Sequence, residues 1–148
     1  MKEISNSDYP QLNKAAAAYL EEGRKWAKFL AIMGFVGTGL MVIVGLFMGT
    51  IFSAIPYDDI PGYAGGMGSV MSFIYILAAL LYFFPSLYLY NFAEKTKSAL
   101  LNKDDNQLAE ALKNQKSCYK FIGIMTIIII GLYILMAFFG LLAAMMSF

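Results

Sequence analysis

The sequence contains no histidine and only one cysteine, and 14% of its 148 residues are charged. Without histidine, the chain lacks the side chain that most often transfers protons near neutral pH and binds transition metals. With Cys118 alone, it cannot form an intrachain disulfide. A net charge of +1 does not imply nucleic acid as a partner. These absences predict a protein that is not an enzyme and that uses no metal or cofactor.

Apolar residues make up 59% of the chain, and they are concentrated in three runs at residues 29–52, 67–92 and 119–146. Ordinary soluble domains are about 45–50% apolar and show no such concentration. The first run is long enough, at about 1.5 Å per helical residue, to cross a hydrocarbon core of about 30 Å. We therefore predict an all-α integral membrane protein, a bundle of three transmembrane helices with the lipid bilayer as its partner.

An amphipathic helix is predicted before the first span, over residues 10–25. Its apolar and charged residues fall on opposite faces, and Glu21 and Lys25 have the i,i+4 spacing of a favourable ion pair. Two placements are consistent with this pattern. The helix either lies on the membrane surface and turns inward at Trp26, or is a packing helix, between subunits or on its own bundle.

The segment between the first two spans, residues 53–66, is predicted to be an outer loop because prolines and glycines interrupt the helical pattern. Asp58 and Asp59 within it are too few ligands for a metal site and are more typical of a solvated turn. The second span is predicted to continue as a helix to residue 101.

A hydrophilic break separates the second span from the third, and Asp104 and Asp105 within it are suited to cap a new helix. A second amphipathic helix is predicted over residues 107–117, leading directly into the third span.

Positive charge lies on one side of the predicted spans. All eleven lysines and arginines either precede the first span or lie between the second span and the start of the third, where Lys120 is the last of them. Because cytoplasmic segments of membrane proteins are enriched in these residues, the N-terminus is predicted to be cytoplasmic and the C-terminus to lie outside, in the periplasm.

Small residues and one proline indicate how the spans pack. Gly45 and Gly49 form a GxxxG pattern, and Gly140 and Ala144 have the same spacing in the third span. Such pairs allow close helix approach, either within one chain or between two copies. Pro85 is predicted to kink the second span because it leaves one carbonyl without its amide partner.

Interfacial anchors are predicted where the spans meet the polar segments, because aromatic and basic side chains favour the membrane–water boundary. The residues are Trp26, Lys28, Lys120, Tyr88 and Tyr90.

Residues 17–47 align with residues 109–139 at a constant offset of 92, with nine identities in thirty-one positions. The shared unit is an amphipathic helix, a lysine followed by phenylalanine, and then a span. This pattern indicates a parallel internal repeat, and similarity of composition is the alternative explanation.

Three blocks carry a resemblance to a known family: AYLEEGRKWAKFLAIMGFVGTGLMVIVGLFMG, IYILAALLYFFPSLYLYNFAEKTKSAL and ALKNQKSCYKFIGIMTIIIIGLYI. Over residues 15–145 the chain resembles a family of small bacterial multi-span membrane proteins, mostly from Bacteroidota, that is known only as a domain of unknown function. The resemblance implies the bacterial inner membrane and no activity, ligand or functional residue.

No span contains Asp, Glu, Lys, Arg, His, Asn or Gln between its interfacial ends, and ionisable groups within a span usually mark ion-coupled transport. We therefore predict a non-enzymatic structural or accessory subunit of a larger membrane complex, or a homo-oligomeric scaffold. The alternative is an oligomeric channel or a protein that binds lipid or another hydrophobic ligand. An enzyme ranks last, since it would depend on Asp58, Asp59 or Cys118.

Overall fold

A computed structural model describes residues 12–54 and 66–146. Within these ranges the chain forms three α-helices, which are α1 (Lys14–Ala54), α2 (Met67–Asn102) and α3 (Asp105–Met146). Each helix is long and apolar enough to cross a membrane. The all-α prediction with three such helices is confirmed at this level. Most of the predicted outer loop, including Asp58 and Asp59, lies outside the described residues.

The first helix begins later than predicted, and it has no break where the amphipathic helix was expected to turn into the first span. It begins at Lys14, because the Asn13 side chain caps it by accepting a hydrogen bond from the Ala16 amide at 2.8 Å. It then continues through Trp26 without a turn, so the predicted amphipathic helix and first span form one helix. Glu21 contacts Lys25 at 3.5 Å, which confirms that predicted ion pair.

The junction between α2 and α3 is a two-residue turn. Lys103 adopts a left-handed conformation with φ of 51°, and its amide donates to the Ala99 carbonyl at the end of α2. The Asp104 carboxylate accepts hydrogen bonds from the amides of Asn106 and Gln107 at 2.9 and 3.3 Å. The predicted capping role of Asp104 is therefore confirmed, and α3 runs from this cap through the whole third span.

Helix α2 lies between the other two helices. It packs against α1 and against α3, whereas within the described residues α1 and α3 do not pack against each other. Most of the buried side chains are alanines, and the small core cluster consists of Ala27 of α1, Phe92 and Ala93 of α2, and Ala111 of α3. The helices therefore form a layer rather than a closed bundle.

Close approach of α1 and α2 depends on glycines of α1 that face serines of α2. A Cβ added at Gly34 would collide with the Ser86 side chain, and Gly45 lies against Ser72 and Tyr75. The Ser72 hydroxyl also donates a hydrogen bond to the Gly45 carbonyl. These contacts hold the two helices together over most of their length.

The residues of α3 that are buried, Ala111 and Cys118, lie in the half of the helix nearest the turn. There, the Cys118 thiol lies 3.7 Å from the Pro85 carbonyl, and the Phe84 and Phe121 rings are 5.9 Å apart. From residue 126 to residue 146, every position of α3 is exposed. An apolar helix exposed on all faces needs a lipid or protein environment, because soluble proteins rarely expose apolar patches of that size.

The sequence similarity at an offset of 92 pairs residues of α1 with residues of α3. The paired residues do not lie on equivalent packing faces of the two helices. Ala111 and Cys118 are the buried residues of α3. Their equivalents in α1 are Tyr19 and Trp26, which are 75% and 62% exposed. Equivalent positions therefore face in different directions, and the predicted repeat is not visible as packing symmetry around α2.

Candidate functional site

The charged residues next to the predicted spans form an ion pair between α1 and α2. The Lys28 ammonium lies 2.6 Å from the Glu94 carboxylate and 5.9 Å from the centre of the Tyr90 ring. The hydrogen bond from Lys28 holds the pKa of Glu94 below its usual value, and the same bond raises the pKa of Lys28. The structure thus brings two of the predicted anchors, Lys28 and Tyr90, together around a carboxylate.

A second ion pair joins α2 to α3, between Lys95 and Glu110. The hydrogen bond from Lys95 lowers the pKa of Glu110. Sequence reasoning missed both carboxylates. The sequence did contain a signal for the first pair. Glu94 lies two positions beyond the second span, and in an antiparallel helix pair that position is level with Lys28, just before the first span.

The remaining predicted anchors are separate from one another. Trp26 is exposed and makes an edge-to-face contact with Phe29, with the ring centres 6.1 Å apart. Lys120 is exposed on α3, and Tyr88 is half-buried on α2. Their role as membrane anchors stays a prediction.

The two small-residue pairs have different surroundings. In α1, Gly45 and Gly49 both face Ser72 of α2. In α3, Gly140 has open space where a Cβ would be, and Ala144 is exposed. The first pair therefore lies in a contact within the chain, whereas the second lies on the exposed part of α3.

Helix α2 continues through Pro85, and the neighbouring Ser86 hydroxyl donates to the Tyr82 carbonyl at 3.0 Å. Cys118 lies just before the third span and is buried. Burial raises the pKa of its thiol, so the reactive thiolate form is disfavoured.

Beside the ion pairs, α1 and α3 stand apart and leave a groove of about 570 Å³ over α2, the interhelical groove. Most of its lining is apolar or aromatic. The side chains that define it are Tyr19, Leu20, Trp26, Leu89, Phe92 and Tyr119. A second cleft of about 490 Å³ lies farther along the layer, between Pro85 of α2 and Met125 of α3. Both recesses are suited to hydrophobic groups.

Among the described residues, no three histidine, cysteine, aspartate or glutamate side chains are grouped closely enough to hold a metal ion. Within the same described residues, the Thr96 hydroxyl oxygen is the one buried side-chain nitrogen or oxygen atom without a hydrogen-bond partner. The arrangement therefore offers hydrophobic recesses flanked by charge.

Three helices that can each cross a membrane, with apolar side chains exposed on their outer faces, define the class of a candidate multi-span membrane protein. The chain belongs to a family of unknown function, DUF5362, whose model matches residues 64–141. The match covers α2, the turn and most of α3, a shorter region than the predicted resemblance over residues 15–145. No curated protein and no solved structure matches the chain.

Proposed function

We propose that this chain is an integral protein of the bacterial inner membrane, with its N-terminus in the cytoplasm and its C-terminus outside. The length and apolar character of the three helices support the membrane location. The orientation is supported by the lysines and arginines, since none occurs in residues 53–66 or after Lys120.

Within the membrane, we propose that it serves as a non-enzymatic accessory subunit or a homo-oligomeric scaffold. The observation that carries this proposal is the exposure of α3 from residue 126 to residue 146. Because every position in this part of α3 is exposed, it offers a long apolar surface to a neighbouring membrane protein. Gly140 on this surface would allow the close helix approach that such contacts use.

Single-cysteine crosslinking tests this proposal in native membranes. In a Cys118→Ala background, Ile134→Cys and Met136→Cys place thiols on opposite sides of α3, at positions that are 66% and 71% exposed. A thiol crosslinker should join at least one of them to a second copy or to another protein. Ala31→Cys, at a fully buried position between α1 and α2, is the matched control and should remain uncrosslinked.

The proposal would be wrong if both α3 variants remained monomeric and the protein purified from mild detergent as a monomer without a partner. A membrane protein that functions alone would give that result.

The interhelical groove favours a second candidate, a protein that binds lipid or another hydrophobic ligand. An oligomeric channel requires several copies around a shared path. Ion flux above that of empty vesicles, measured with the reconstituted protein, would support the channel instead.

A further inference from the structure

We infer that the outer side of α3, where this helix enters the membrane, binds the headgroup of an anionic phospholipid such as phosphatidylglycerol. The inference rests on the proposed membrane location and adds a ligand class to it. Two features carry it. One is a set of three unpaired lysines, the lysine face (Lys113, Lys116 and Lys120), and the other is an uncovered glycine beside them.

The lysine face is a single side of α3. At about 100° per residue, the three lysines lie within about 60° of one another around the helix axis. They lie on the side opposite Ala111 and Cys118, the buried residues of α3. All three lysines are exposed, and within the described chain none of them forms an ion pair. Three positive charges are therefore available to a partner outside the chain.

The acidic residues of α3 do not neutralise this face. Glu110 lies three residues before Lys113, but it pairs with Lys95 of α2. Asp105 lies eight residues before Lys113, farther from the third span. A face with net positive charge attracts anionic lipids, whereas a zwitterionic headgroup brings no net charge to it. The charge therefore selects an anionic headgroup.

The lysine face lies at the level of lipid headgroups. Lys120 is the second residue of the predicted third span, and Lys116 and Lys113 lie about 4.5 and 9 Å before its start, at about 1.5 Å per residue. Attraction to an anionic membrane extends over a Debye length of about 8 Å at physiological salt. The unpaired Lys14 and Lys103 lie about 22 and 16 Å beyond their spans by the same rise, which is too far.

Gly123 continues this side of α3 toward the hydrocarbon core. It lies three residues after Lys120 and has open space where a Cβ would be. Ile127, one turn farther, is 73% exposed. The glycerol and acyl chains of a lipid can therefore approach the helix backbone at Gly123 while its phosphate contacts the lysine ammonium groups.

A second copy of the chain does not suit the lysine face. Copies inserted with the same orientation would bring their lysine faces to the same level, and a symmetric contact would set these faces against each other. Like charges placed together across an interface are unfavourable. An acidic segment of another protein is the competing occupant, and the experiment below separates it from a lipid.

The test uses a single tryptophan as a local probe, since Trp26 is the one tryptophan of the natural chain. In a Trp26→Phe background, Ile127→Trp places the probe beside the lysine face. Val36→Trp is the matched control on α1. Val36 is 51% exposed and lies seven positions after the first residue of its span, whereas Ile127 lies eight positions after the first residue of its own. The basic residues just before the first span already form ion pairs within the chain.

The full-length protein is reconstituted into phosphatidylcholine vesicles that contain a fixed fraction of acyl-brominated phosphatidylglycerol or acyl-brominated phosphatidylcholine. Because bromine quenches tryptophan fluorescence on contact, the ratio of the two quenching strengths gives the enrichment of phosphatidylglycerol at the probe. Flotation of the vesicles first establishes that the protein has inserted.

The expected enrichment at Ile127→Trp is about five-fold, the attraction that one lysine near an anionic membrane supplies. Replacing all three residues of the lysine face with glutamine should abolish the preference. The Val36→Trp probe should show no comparable preference. A control variant removes the same charge from other exposed lysines and should keep the preference at Ile127→Trp; it carries Lys14→Gln, Lys97→Gln and Lys103→Gln.

Equal quenching by the two lipids at Ile127→Trp, in samples that float, would overturn the lipid site and leave the membrane location intact. A preference that is equal at both probes, or that survives neutralisation of the lysine face, would also overturn it. A probe at Ile127 that neither lipid quenches would show that protein covers this face instead of lipid. Failure to float would contradict the membrane location itself, and the lipid site with it.

Discussion

At the residue scale, the contacts that hold this protein together depend on which residues of α1 face α2. Gly39 and Gly45 lie in the same apolar run, and in the sequence only the GxxxG spacing of Gly45 with Gly49 distinguishes them. In the structure, Gly45 lies against α2 and Gly39 faces open space. The sequence predicts that glycines serve close packing, but a span that is apolar on all sides does not reveal which face meets its neighbour.

Replacing Gly45 with valine should destabilise the α1–α2 pair. An added Cβ would lie 3.1 Å from the Tyr75 Cβ and 3.3 Å from the Ile76 Cγ1, closer than normal contact. Overpacking of this kind costs about 1–3 kcal/mol. Unfolding by SDS titration should reveal that loss. Gly39→Val is the matched control and should unfold like the natural protein, whereas equal losses in both variants would contradict the assigned packing face.

The Lys28–Glu94 ion pair predicts a specific dependence of stability on pH. The pKa of Glu94 is lowered from 4.5 in the folded protein, so its contribution is present above pH 4.5 and is lost as pH falls through the folded-state value. Glu94→Gln should therefore lower Tm in detergent at neutral pH and make no difference in strong acid.

Lys28 sets the upper pH limit of the stabilisation by this ion pair, because its pKa is raised from 10.5 in the folded protein. Its contribution is present below pH 10.5 and is lost as pH rises through the folded-state value. Melting curves of both forms across this range test the pair. A Glu94→Gln effect that persisted unchanged at acid pH would exclude this ion pair as its cause.

At the element scale, the sequence predicts the ends of the helices better than their continuity. The helix predicted to reach residue 101 ends at Asn102, and α3 begins at Asp105 beside the Asp104 cap. In contrast, the divisions expected between amphipathic segments and spans are absent. Capping is a local property of a few side chains, whereas a change from polar to apolar surroundings leaves the helical backbone uninterrupted.

The Asp104 cap should contribute measurably to the α2–α3 turn. Asp104→Ala removes the acceptor for the amides of Asn106 and Gln107, and losing such a cap costs about 1 kcal/mol. A lower Tm in the same detergent is the expected result. Asp105→Ala removes an equal charge from the first helical position and should cost less, so an equal or larger loss there would argue against the assigned cap.

At the scale of the whole molecule, the central position of α2 could not be predicted. The three runs have similar composition, and each can cross a membrane by itself. The order follows from particular contacts, namely the α1 glycines against serines of α2, and Cys118 against the Pro85 carbonyl. Because α1 and α3 remain apart, the layer contains the interhelical groove, and no periodicity in the sequence indicated it.

The central claim is that the apolar parts of three helices cross a bilayer and that the lysine-rich ends of these helices lie on one side of it. The most direct test is cysteine labelling of intact cells with a membrane-impermeant maleimide, in a Cys118→Ala background. Ile60→Cys, between the first two spans, should be labelled in intact cells. Lys103→Cys, in the α2–α3 turn, should be labelled only after the inner membrane is permeabilised. The reverse pattern would contradict the orientation, and equal labelling of both positions in intact cells would contradict the membrane-spanning arrangement.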